Sequence, residues 1–258
     1  MLKYLTPIKS RIELGLLLQQ EGFEVGAELG VQRGHFAAET LQRWPKCKRY
    51  YLVDIWAPQD NYKDYANVDQ AEQDKILGEA RQVLAPWQHK LAWLRMTTNQ
   101  AVRHVRGPLD YVYVDARHDY CGTHEDIQAW WPLIRPGGIM AGHDYENAPD
   151  VMQATGQDWA LCSNGTIHQG AVQSAVNEFF AAQGVQLGAA PRLVCARASK
   201  GSKGGKSTPM TPADAARIQS AAAKAGGGGV AKGSFAARAQ SAAAKNANAG
   251  IVGKKGGK

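Results

Sequence analysis

Apolar residues along this 258-residue chain fall in short blocks, and their spacing changes from one block to the next. Ile12, Leu14, Leu16, Leu17 and Leu18 stand among helix formers and stop at Gly22, the pattern of a short helix closed by glycine. Residues 24–29 form a brief apolar run that ends in a turn carrying Gly30 and Gly34. Residues 35–44 then resume helical spacing, with Phe36, Leu41 and Trp44 on one side. This order of strand, glycine turn and helix recurs. Residues 50–55 are β-prone and contain Asp54, 66–84 predict a long surface helix, and 91–94 a third strand. Thr97 with Gln100 three positions later forms a capping box that opens a helix running to Val105. A fourth strand at 109–114 stops at Asp115. A helix at 123–133, a fifth strand at 139–141, a helix at 171–182 and a last strand at 193–196 follow. Strands alternating with helices imply an α/β fold, a parallel sheet covered on both faces.

Composition changes the picture only near the C-terminus. Of 30 Lys/Arg and 23 Asp/Glu, eleven bases and one acid, Asp214, lie from Ser199 onward. The first 198 residues are therefore near −3 and the remainder near +10, so the pI of 9.2 describes the tail. Residues 199–258 hold sixteen Ala, twelve Gly and one aromatic, Phe235. They contain a repeat, AARIQSAAAK at 215–224 and AARAQSAAAK at 236–245. Such a segment cannot bury a core, so we expect one folded domain at 1–198 and a disordered basic tail at 199–258. A tail of that charge suits nucleic acid or an anionic surface as partner. The four cysteines, far apart and without a CxxC pair, read as reduced thiols. No apolar run approaches the ~18 residues of a membrane span. Glu13 and Glu21 interrupt the N-terminal apolar pattern, against a signal peptide. The expectation is an intracellular, cytoplasmic protein.

The first turn reads Glu28-Leu29-Gly30-Val31-Gln32-Arg33-Gly34. Paired glycines at a strand-to-helix turn let backbone approach a ligand closely. The spacing is not the GxGxxG that a dinucleotide pyrophosphate requires, which argues against a nicotinamide dehydrogenase. Asp54 stands at the end of the second strand, where a carboxylate can accept both hydroxyls of a ribose. Residues 96–100 lie where the loop after the third strand would face an adenine, although Thr97 and Thr98 also suit helix capping.

On these motifs residues 24–198 resemble the class I S-adenosylmethionine-dependent methyltransferases. They are most similar to the small-molecule O-methyltransferase branch, with its catechol- and macrolide-sugar-methylating members. The resemblance implies a Rossmann-like, seven-stranded, mostly parallel sheet whose last strand is antiparallel, and S-adenosyl-L-methionine as donor. It places Glu28, Gly30 and Gly34 around the methionine part of the donor and Asp54 on the ribose; Thr98 and Asp115 complete the residues expected to bind the cofactor. Residues 210–250 are similar to the seed maturation protein domain, which implies a plant or green-algal source.

The fourth strand ends in Asp115-Ala116-Arg117-His118-Asp119, and the fifth in Gly142-His143-Asp144-Tyr145. In an open α/β sheet both strand ends face the ligand mouth. Asp115, His143 and Asp144 offer a carboxylate, an imidazole and a second carboxylate for a divalent ion such as Mg²⁺ or Mn²⁺. In metal-dependent O-methyltransferases an Asp after the fourth strand and an acidic or amide pair after the fifth bind the metal, and a base follows the first Asp by three residues. His118 matches that base, with a near-neutral pKa expected. His143 departs from the pattern, because imidazole is a poor Mg²⁺ ligand: either the ion is softer, or His143 is a second base. Arg117 is suited to pairing with Asp119 or to holding an anionic acceptor. The expected activity is methyl transfer to an oxygen of a small molecule, with divalent metal. The alternative is a non-catalytic binding or stress-protective protein acting through its tail.

Overall fold

The computed structural model describes residues 10–190 and 193–198. The expected tail from Ser199 onward, its repeats and its disorder lie outside the described residues. Strands β1 (Val25–Leu29), β2 (Arg49–Asp54), β3 (Leu91–Arg95), β4 (Leu109–Val114) and β5 (Ile134–His143) pair in parallel. With β6 (Leu187–Ala190) and β7 (Leu193–Arg197) they form one sheet in the order β3-β2-β1-β4-β5-β7-β6. β7 is antiparallel to both neighbours. This is the seven-stranded Rossmann-like sheet that the family resemblance implies. The hydrophobic pattern indicates six of these strands. β6, with the sequence LGAA, carries too little apolar bulk to show.

Both faces of the sheet are covered. Along β2, Tyr50 and Leu52 enter one core with Leu41, Trp44 and Tyr111, while Tyr51 and Val53 enter the other with Ile127, Trp130 and Phe180. A strand buried on both sides reads as an unbroken apolar run, which is how this one appears in the sequence. Trp44 packs edge-on against Tyr50 and Tyr111, with ring centroids 5.8 and 6.1 Å away. Its indole N–H donates to the Phe23 carbonyl at 2.7 Å, so its complete burial leaves no polar group unpaired.

Caps fix where the helices begin and end. α1 (Leu14–Glu21) closes on Gly22 in the left-handed conformation, as expected, and α2 is His35–Arg43. The Asp69 carboxylate accepts the Glu72 amide, so α3 (Gln70–Val83) starts four residues later than the periodicity suggests. α4 (Thr98–Ala101) carries the expected Thr97/Gln100 capping box. Asp119 caps α5 (Tyr120–Trp130), three residues earlier than expected. α6 (Ala148–Thr155), capped by Asn147, is not indicated by the hydrophobic pattern, whereas α7 (Ala171–Ala182) is.

The registers bring the strand ends level. Leu29 lies opposite both Val53 and Val114, and Val114 opposite Gly142. The order reverses between β1 and β4, so Gly30, Asp54, Asp115 and His143 all emerge at a topological switch point, where open α/β sheets bind ligands.

One expectation is corrected here. Cys121 and Cys162 are joined by a disulfide, while Cys47 and Cys195 are free and buried. The two cysteines stand 41 positions apart in the sequence. The segment 156–170 brings them together by folding back over the start of α5, where His168 also stacks on Tyr120 at 3.8 Å. No helix among the described residues is long and apolar enough to cross a membrane.

Candidate active site

A cavity of about 670 Å³ lies at the switch point. Its lining runs from Arg11 and Glu28 past Asp54 to residues 96–99 and Asp126, and takes in Asp115, His118, His143 and Asp144. That volume lies within the usual range for small-molecule sites. The residues singled out around the first glycine turn, at Asp54 and at the two later strand ends thus share one cavity, except Gly34, which stands just behind it.

Both turn glycines have positive φ, +87° at Gly30 and +77° at Gly34. A Cβ on Gly30 would fall 1.9 Å from the Asp115 carbonyl oxygen, and one on Gly34 2.9 Å from the Leu84 side chain. The chain itself therefore demands these glycines: the turn crosses the end of β4 and packs on α3. The turn is also held from beneath. Asp54 Oδ2 accepts the amides of Val31 and Gln32, each at 2.9 Å, and Oδ1 accepts the Trp56 amide at 2.9 Å. Burial raises the Asp54 pKa against the lowering effect of these amides. Trp56 is completely buried, and its indole donates to the Gln32 carbonyl. Glu28, also buried, accepts from the Tyr50 hydroxyl at 2.8 Å, and burial pushes its pKa well up.

At the adenine-facing end expected from the sequence, the Thr98 hydroxyl donates to Asp126, and the Trp130 indole donates to the Thr98 carbonyl. Burial holds the Asp126 carboxyl up at about 7, the Thr98 bond opposing it.

The other end gathers an imidazole among carboxylates. His118 Nε2 lies 3.4 Å from Asp115 Oδ1 and 3.4 Å from Asp144 Oδ2. Its Nδ1 lies 3.1 Å from Asp64 Oδ2 and 3.0 Å from the Tyr62 hydroxyl, which donates to the Ala116 carbonyl. Trp159 completes the surround: its ring lies 4.4 Å from the imidazole and its indole donates to Asp64 at 3.0 Å. Burial by itself would lower the His118 pKa. Hydrogen bonds to Asp115 and Asp64, with the charges of Asp115 and Asp144, outweigh it and raise the pKa to about 10. The near-neutral value expected from the sequence is thereby corrected: three acids hold the pKa of this imidazole well above neutrality.

Ligand atoms of Asp115, His118 and Asp144 all lie within 4.8 Å of one another, the spread of groups that share one ion. The expected trio had His143 in place of His118. His143 instead sits 3.0 Å from the other oxygen of Asp144, Oδ1. Two carboxylates and one imidazole suit Mn²⁺, Fe²⁺ or Zn²⁺ better than Mg²⁺. The Nδ1–Asp64 contact has the form of the bond that a metal-ligating histidine makes with its other nitrogen.

Arg117 binds Asp119 at 2.6 Å, donates to the carbonyls of Asp60 and Asn61, and lies over the Tyr62 ring. It fastens the 57–68 segment to the site. That segment and 156–170, joined at the Lys63–Asp158 bridge, deliver Tyr62, Asp64 and Trp159. Nothing in the spacing marks Trp159 or Arg11 in the sequence, whereas Tyr62 and Asp64 fall in the 61–65 segment that, with Trp56 just before it, suits either a cover over the acceptor or an ordinary long loop. Asp126 was legible in principle, as an acid inside the buried stripe Thr123, Ile127 and Trp130 of α5.

Residues 27–145 match the family described as Methyltransferase domain, and 197–249 the family described as Seed maturation protein; all but the first two residues of the second stretch lie outside the described ones. No curated protein matches. Among solved structures, an O-methyltransferase family protein from Burkholderia thailandensis superposes with a TM-score of 0.51 at 16% identity, over 74% of this chain and 55% of that one. The chain thus spans about half the length of that protein. The O-methyltransferase TomG from Streptomyces achromogenes, involved in tomaymycin synthesis and solved with S-adenosylmethionine, gives 0.50 at 14% identity, over 73% and 79% of the two chains. A Corynebacterium glutamicum protein gives 0.51 at 11% identity, over 73% and 78%. At these identities the likeness is one of fold.

Proposed function

We propose that the protein, whose residues 27–145 match the family described as Methyltransferase domain, transfers a methyl group from S-adenosylmethionine to an oxygen of a small molecule. In this reading Glu28, Gly30 and Gly34 surround the methionine part of the donor. Asp54 binds the ribose through Oδ1, which accepts the Trp56 amide, since Oδ2 is taken by two amides of the turn. Thr98, with Asp126 behind it, borders the adenine. Residues 1–198 are the methyltransferase domain, and 199–258 a separate basic segment whose charge suits an anionic partner.

The observation that carries the acceptor side is the setting of His118, with Nδ1 on Asp64 and Nε2 facing Asp115 and Asp144. We assign Asp115, His118 and Asp144 as the ligands of a divalent ion, which when bound would make the acceptor hydroxyl more acidic. Attack on the sulfonium methyl is in line, so the chain has to align two molecules and remove one proton. Tyr62, Tyr65 and Trp159 line the cavity beside the cluster and give the acceptor a surface to rest on. His118 is engaged on both nitrogens, so its role passes from free base to ligand. His143, whose Nδ1 lies 3.0 Å from Asp144 Oδ1, is the imidazole left to take the acceptor's proton.

Mn²⁺ binding tests the assignment. Asp64→Asn, which removes the outer-shell charge, should weaken Mn²⁺ about 10–100-fold. His118→Ala should weaken it further, and His143→Ala should leave affinity nearly unchanged while slowing methylation of a panel of phenols and sugars. If His143→Ala abolishes Mn²⁺ binding and His118→Ala does not, the ion is held by the trio expected from the sequence.

A further inference from the structure

The donor proposed above ends in an α-amino acid, with one ammonium and one carboxylate, and the lining at that end of the cavity is strongly acidic. Glu28, Asp54 and Asp115 all face it, and Asp144 stands nearby. An ammonium is welcome there, whereas a carboxylate is not unless a cation meets it. Three arginines line the cavity among the described residues. Arg33 is paired with Glu72 and Glu79, and Arg117 with Asp119 and two backbone carbonyls. Arg11 is differently placed. It stands in the short turn before α1, started by Ser10, whose hydroxyl accepts the Ile12 amide. Its guanidinium lies 5.4 Å from the centre of the Phe36 ring, at the start of α2 directly after Gly34. Its carboxylate partner, Asp115 Oδ2, is 3.5 Å away, beyond hydrogen-bonding distance, and its side chain is 42% exposed.

We propose that Arg11 receives the carboxylate of the donor's methionine part, and so selects donors and inhibitors that keep that group. This rests on the reading that the cavity binds S-adenosylmethionine. The Phe36 ring and the Tyr113 hydroxyl hold the guanidinium at the mouth, and the loose contact with Asp115 is given up for a bidentate bond to the incoming carboxylate. Moving the cation off Asp115 also leaves that carboxylate to the cluster around His118. Arg11 is then a binding and positioning residue.

Calorimetry on the full chain with two probes tests this: S-adenosylhomocysteine, which keeps the carboxylate, and decarboxylated S-adenosylmethionine, which lacks it. Arg11→Gln should weaken S-adenosylhomocysteine by roughly tenfold to a hundredfold, the loss expected for a hydrogen bond to a charged group. The decarboxylated ligand should bind wild type and variant alike, and Arg11→Lys should recover part of the loss. The exposed side chain makes misfolding of the variant easy to check by thermal unfolding. An equal loss for both probes, or none for either, overturns the assignment. If the wild-type protein binds neither probe, the donor reading falls and the clamp falls with it.

Discussion

Asp126 is pushed in opposite directions by its burial, which raises its pKa, and by the Thr98 hydroxyl, which lowers it. Burial prevails and leaves the carboxyl at about 7. The ordinary value is near 4, so the folded state holds this proton more tightly than the unfolded chain does. The contribution to stability is full below about pH 4 and is lost as pH rises through about 7. Asp126→Asn keeps an acceptor for Thr98 and removes that loss. Between about pH 5 and pH 8 the wild-type protein should therefore lose on the order of 1–3 kcal/mol more unfolding free energy than the variant, as read by urea denaturation at both values. Equal losses would mean that Asp126 is ionised throughout. At this scale the sequence revealed residues at strand ends, because parallel strands of matched length deliver Gly30, Asp54, Asp115 and His143 to one edge. It did not reveal Arg11 or Trp159, which reach the site from irregular segments whose paths no periodicity encodes. It also misjudged His118. The type and spacing were apparent, but the number of carboxylates around the imidazole is a property of the folded site.

Among the elements, the sheet was the most legible part, since strands buried on both faces leave continuous apolar runs. Helix starts were less so, because Asp69 and Asp119 decide them through single side-chain bonds. The segment between β5 and α7 was least legible: α6 is short, and residues 156–170 are ordered by contacts to other parts of the chain. Chief among these is the Cys121–Cys162 disulfide, which ties the segment carrying Trp159 to the first turn of α5. Peptide mapping without reductant should recover the two cysteines in one linked fragment. Cys162→Ser should lower the unfolding free energy by about 2–4 kcal/mol, as expected for a cross-link closing a loop of this size. It should also increase proteolytic cutting within 156–170. Two free thiols in the mapped protein would mean that the segment is held by its hydrogen bonds and ring contacts alone.

For the whole molecule, a slightly acidic body and a strongly basic C-terminal segment are joined in one chain, so the overall charge of +7 says little about the ligand. The cavity at the switch point says more, because its acids, the Arg11 guanidinium and its glycine turn form one continuous lining. Calorimetric titration of the full chain with S-adenosylmethionine, repeated on Asp54→Ala, tests most directly that this lining is a donor site. One molecule should bind per chain, and a folded Asp54→Ala protein should bind it about 2–3 kcal/mol more weakly, through loss of hydrogen bonds to a charged group. Absence of binding by the wild-type protein, or unchanged affinity in a folded Asp54→Ala variant, would contradict it.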